Sequence, residues 1–120
     1  MAIKKATYEK DIKSEIEGFT TLLADLDEEE MILPNKLIEE LAFMRVTLRE
    51  LKIKVMEDGV VTEMEQGAYS IDRENPALKS YNTTIQRYNT TLKQLDDMVH
   101  KISPEKATEV NLLSEFLARK

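Results

Sequence analysis

The chain has 120 residues, 42% of them hydrophobic and 33% charged, with a formal net charge of −6. That length fits one domain, and that mixture fits a folded helical protein rather than a disordered one. Three glycines and three prolines are too few for a many-stranded sandwich or barrel, and the lack of cysteine excludes disulfides and thiolate metal sites.

The N-terminal MAIKKATYEKDIK lacks the apolar core of a signal peptide, and no apolar run approaches the roughly 18 residues of a membrane span. A soluble, intracellular protein without membrane contact is expected. The first helix is predicted over residues 4–26, where Tyr8, Ile12, Ile16, Phe19, Leu22, Leu23 and Leu26 recur at steps of three and four. The acidic run Asp27 to Glu30 ends it and complements the dipole of the next helix; Pro34 suits an early position there.

The second helix, 34–57, carries an apolar seam at Leu37, Leu41, Met44, Leu48, Leu51 and Val55, with Gly59 placed as its C-cap. Residues 58–74 lose helical periodicity. Val60 and Val61, then Tyr69 and Ile71, predict two short strands joined near Gln66-Gly67. Asn75 and Pro76 supply an N-cap and a first-turn proline for a third helix running to about residue 102. Ser103-Pro104-Glu105 repeats that start for a short final helix. The expected fold is mainly α: a helical bundle with two long helices joined by a hairpin-like segment, plus a short C-terminal helix.

The third helix holds a near-duplicate, YNTTIQR then YNTTLKQ, at residues 81–94. Its apolar positions Leu78, Tyr81, Ile85, Tyr88, Leu92, Leu95, Val99 and Ile102 alternate steps of three and four, giving a narrow stripe roughly 37 Å long. Such a stripe packs against a partner, either the chain's own second helix or a neighbouring subunit, most readily a second copy. Asn82 and Asn89 flank it one heptad apart, where half-buried amides fix register between helices.

Catalytic chemistry finds little to hold. His100 has no cysteine or second histidine beside it, no GxxxxGK[ST] phosphate loop is present, and adjacent acids such as Asp96-Asp97 diverge on a helix. Neither an enzyme nor a cofactor is expected. Binding is better supported. Arg45, Arg49 and Lys52 form one basic stripe, open to two readings: pairing with neighbouring acids or contact with phosphates. Lys4 and Lys5 could act as a short backbone-contacting arm. Leu113, Phe116 and Leu117 give an i, i+3, i+4 anchor pattern, suited to a docking peptide or to packing on the body.

A long amphipathic helix ending in glycine, a short extended segment with a second glycine, and then ENPALKSYNTTIQRYNTTLKQL together resemble the small subunit of tailed-phage terminases. Asn75, Pro76, Ala77, Tyr81, Asn82, Tyr88, Asn89 and Leu95 carry the likeness, which spans roughly residues 35–100. The resemblance implies a non-catalytic homo-oligomer, a ring in this family, that binds viral double-stranded DNA and presents it to the ATP-hydrolysing large subunit in the host cytoplasm. It implies a DNA-recognition and oligomerisation body over 1–103, with Leu78, Tyr81, Ile85, Tyr88, Leu92 and Leu95 at the oligomer interface. Residues 104–120 would then form a partner-docking helix. Many relatives have a more basic N-terminal segment; here Lys4, Lys5, Lys10 and Lys13 stand among acids. The competing expectation is a helical adaptor, or a phage assembly or inhibitor protein, that binds other proteins and no DNA.

Overall fold

The computed structural model describes residues 5–107. Its elements are α1 (Lys5–Leu22), α2 (Ile32–Asp58), β1 (Val61–Gln66), β2 (Tyr69–Glu74), α3 (Pro76–Ile102) and α4 (Pro104–Ala107). The mainly α architecture with one antiparallel hairpin agrees with the expectation from sequence.

The 27-residue helices α2 and α3 pack along each other, and α1 packs on α2. At 1.5 Å per residue the paired helices run about 40 Å, and six-residue strands add about 20 Å. The molecule measures 64 × 26 × 23 Å, so the hairpin prolongs the helical pair instead of folding back on it.

Burial divides this rod into three parts. Phe19, Leu23, Leu26 and Met31 join Ile38, Leu41 and Leu48 of α2 and Tyr88, Leu92, Leu95 and Val99 of α3 in one core. There the end of α1 and the turn after it add a third layer. Beyond Arg49, and before Tyr88, the packing among the described residues is that of the helical pair α2 and α3, and Leu51, Val55, Leu78, Tyr81 and Ile85 are half-buried. The third part is the hairpin. Its register pairs Thr62 with Arg73, Met64 with Ile71 and Gln66 with Tyr69 on one face. The other face pairs Val61 with Glu74, Glu63 with Asp72 and Glu65 with Ser70, and so gathers four carboxylates.

Local chemistry sets the boundaries. Gly59 closes α2 at φ 85°, its N–H donating to the Val55 carbonyl over 2.7 Å. Gly67, at φ 63°, is the first residue of the two-residue turn between the strands, and among the described residues no non-glycine has positive φ, the pattern of a type II′ turn. Asn75 is 3% exposed and holds the base of the arm together. Its Oδ1 accepts from the Ala77 N–H (2.9 Å), its Nδ2 donates to the Gly59 carbonyl (2.7 Å), and its own N–H donates to the Val60 carbonyl (2.8 Å). One residue caps α3 and ties it to the end of α2.

The acidic run works as a reciprocal cap ahead of α2. The Glu30 N–H donates to Asp27 Oδ1 (2.8 Å), and the Asp27 N–H donates to Glu30 Oε1 (3.0 Å). Lys106 of α4 reaches the same Glu30 oxygen at 2.6 Å and anchors the last described turn. The Asp27 amide first, then Lys106, hold the Glu30 carboxyl below its ordinary value of 4.5. Its contribution is therefore complete above that value and lost as pH falls through the lower folded one. Acidification past this point should release α4 from the turn while the core persists, visible as NMR shift changes at Lys106 without loss of helical circular dichroism. Unchanged Lys106 shifts to the onset of unfolding would contradict this.

Several expectations need correction. Helix α1 ends at Leu22, with Leu23 and Leu26 buried from the turn that follows. Helix α2 buries a second stripe, Ile38, Ala42 and Val46, beside its predicted seam, because it is the central helix and is covered by both α1 and α3. Tyr88, Leu92 and Leu95, expected at an interface between copies, are 4%, 4% and 0% exposed within one chain. The hairpin returns α3 along α2, so the chain's own helix covers those positions first. Leu78, Tyr81 and Ile85 are only half-covered. Asn82 and Asn89 are exposed, so they do not fix the register of the helical pair.

Candidate nucleic-acid interface

Helical periodicity puts Arg45, Arg49 and Lys52 on one side of α2, next to its buried stripe. Helix α1 crosses that side and supplies a tertiary partner. Glu15 Oε1 lies 2.6 Å from Arg45 Nε, and Glu15 Oε2 lies 2.7 Å from Arg49 Nη2. The pairing expected from nearby acids of α2 is thus made instead by an acid 30 and 34 residues away. The Arg49–Glu15 contact is a charge-assisted hydrogen bond, stronger than a neutral one, and the Arg45–Glu15 contact is a close ion pair.

The three side chains differ in access. Arg45 is 20% exposed and Glu15 13%, whereas Arg49 is 53% exposed. Arg45 also extends Nη1 to within 3.5 Å of the Tyr88 hydroxyl on α3, a long contact that adds a third helix to the cluster. Tyr88 therefore buries its ring in the core and turns its hydroxyl to this polar edge; it is not a base-stacking platform. Lys52, one turn further, is exposed, and Lys5 is exposed with Glu9 3.8 Å away on its own helix.

Around the cluster, Tyr8 clasps α2 from the start of α1. Its hydroxyl hydrogen-bonds the Thr47 hydroxyl, and its ring lies 5.8 Å from that of Phe43. A groove of about 720 Å³ runs between α2 and α3, lined by Leu37, Phe43, Met44, Thr84, Arg87 and Thr91 among others. The duplicated block thus gives each repeat a tyrosine to the seam, an asparagine to solvent and two threonines to this groove.

Lys4, Leu113, Phe116 and Leu117 lie outside the described residues. His100 is exposed, with its Nδ1 2.7 Å from the Asp96 carbonyl oxygen, and among the described residues no group of three or more His, Cys, Asp and Glu side chains could hold a metal ion. No described helix is long and apolar enough to cross a membrane.

The structure brings Arg45 and Arg49 together around an acid and leaves Lys5 apart with Glu9. Glu15 is the member of this cluster that sequence reasoning missed. Its position relative to Ile12, Ile16 and Phe19, on the edge of the apolar face of α1, was the available signal: an acid bordering a buried stripe meets whatever borders the stripe opposite.

No family model matches the chain, and no curated protein or solved structure matches it either.

Proposed function

We propose that this protein is a non-catalytic, self-assembling component of phage genome packaging that holds viral double-stranded DNA for the large terminase subunit in the host cytoplasm. The observation that supports it best is the arm: a glycine-ended helix, a two-stranded turn, and an Asn75-Pro76-capped long helix, in the order on which the resemblance to terminase small subunits rests.

Self-association has a surface available. In the two-helix part Leu78, Tyr81, Leu51 and Val55 are half-covered, and Ile53, Met56 and Val60 nearby are 46%, 70% and 59% exposed. A second copy laid along this part would finish the burial that α1 completes at the other end. DNA contact falls to Arg49 and Lys52, with Arg45 behind them and Lys4 and Lys5 as an accessory arm. All would act on phosphates, through counterion release and without base choice. Leu113, Phe116 and Leu117 serve as the docking segment for the large subunit.

Two observations favour the adaptor reading: the four carboxylates on one hairpin face, which repel a phosphate backbone, and the engagement of Arg45 and Arg49 by Glu15. Retention on duplex DNA at low and then moderate salt separates the two readings. Packaging predicts salt-sensitive retention, lost when Arg45, Arg49 and Lys52 are all changed to Glu; no retention at any salt leaves the adaptor. Native mass tests the assembly, where a strict monomer overturns it.

A further inference from the structure

We infer that Glu15 is an internal stand-in for phosphate: α1 and the DNA backbone compete for the Arg45–Arg49 pair, so α1 acts as an autoinhibitory cover. The inference rests on the DNA-binding reading above and specifies how that site is regulated.

The geometry is that of an anion bridging two guanidiniums. Each Glu15 oxygen meets a different arginine, at 2.6 and 2.7 Å. The two non-bridging oxygens of a phosphodiester can bridge the same pair, and arginine is the side chain suited to both partners. Arg45 would keep its place on exchange, because Val46 and Ala42 beside it are buried and Tyr88 of α3 meets its other nitrogen.

The cover is built to lift from one end. Within α1 the only buried residue is Phe19, close to its C-terminal end. Before it come Tyr8 and Ile12, half-buried, Ile16, which packs on the edge of the core, and the Glu15 side chain at 13% exposure, while Lys5, Glu9, Lys13 and Glu17 are exposed. Gly18, the poorest helix former of α1, lies between the Glu15 latch and the Phe19 anchor. A segment held by half-buried contacts opens at lower free energy than the core. Opening up to Gly18 would bare Arg45, Arg49 and Thr47 and leave Phe19 and Leu23 seated.

Full-length protein titrated into a labelled duplex at low salt tests this by fluorescence anisotropy. If the closed form predominates, apparent affinity is reduced by the fraction open, so Glu15→Gln should tighten binding about tenfold. Tyr8→Phe removes the Thr47 hydrogen bond without altering charge, and should tighten it in the same direction. Tightening by Glu15→Gln alone would mean simple relief of repulsion and would overturn competition, as would equal affinity of wild type and both variants. Binding by no variant would overturn the DNA-binding reading itself, and this inference with it. Amide exchange gives a second readout that needs no variant. Adding the duplex should speed exchange over residues 7–16 of α1; protection there would overturn the proposal.

Discussion

Leu95→Ala should destabilise the protein by about 2–5 kcal/mol, the range for deleting a fully buried leucine side chain. Leu95 is 0% exposed and lies in the three-layered core with Phe19, Leu23 and Leu41. Its neighbours come from three elements, so no single helix can shift to fill the void. The same substitution reports which surface seals the stripe of α3. If α2 seals it, the loss appears in the unfolding of the single chain and the midpoint shift is independent of protein concentration. If a second copy sealed it, the shift itself would change with concentration, beyond the rise in midpoint that assembly through another surface gives both proteins, and the variant would dissociate before unfolding. Thermal melts over a hundredfold range of concentration decide the matter, and a concentration-dependent shift would refute the intrachain assignment. Leu78→Ala, at a half-covered position, should cost much less in the isolated chain.

Asn75→Ala should cost about 1.5–2.5 kcal/mol, more than an ordinary helix cap. Loss of the cap on Ala77 accounts for roughly 1 kcal/mol. The Gly59 carbonyl also loses its side-chain donor; Gly59 is exposed and water can take the donor's place, so this loss adds about 0.5–1.5 kcal/mol, the net value of an ordinary hydrogen bond. Asn75→Asp separates the two effects: a carboxylate still accepts from the Ala77 amide but cannot donate to Gly59. It should therefore recover only the cap. Chemical denaturation of the three proteins checks the order: wild type most stable, Asp intermediate, Ala least. Equal stability of the Asp variant and wild type would show that the Gly59 contact contributes nothing.

The sequence made the ends of elements more legible than their contacts. Gly59, Gly67 and Pro76 act through their own backbones and Asn75 caps the next residues with its side chain, so these roles could be read without the fold, unlike the Asn75 bond back to Gly59. The seam of α3 was equally plain, since period 3.5 survives whatever covers it. What covers it was not plain. Periodicity states that a stripe is buried and is silent on whether the burying surface comes from the same chain. The second stripe of α2 was missed for a related reason: Ile38, Ala42 and Val46 are invisible to a scheme that grants each helix one partner. At the candidate site Arg45 and Arg49 were legible as a pair and Glu15 was not, because its approach depends on how α1 crosses α2.

The hairpin has a bearing on how the protein behaves at high concentration. As a two-stranded ribbon it leaves backbone donors and acceptors open along both outer edges, the template on which one molecule can zip to the next. Glu63, Glu65, Asp72 and Glu74 crowd one side of it, and their mutual repulsion between ribbons guards those edges. That guard is electrostatic and shortens to about 3 Å in 1 M salt. Concentrated stocks should therefore stay clear in dilute buffer and turn fibrous or turbid in strong brine, the reverse of what a nucleic-acid-coated preparation would do.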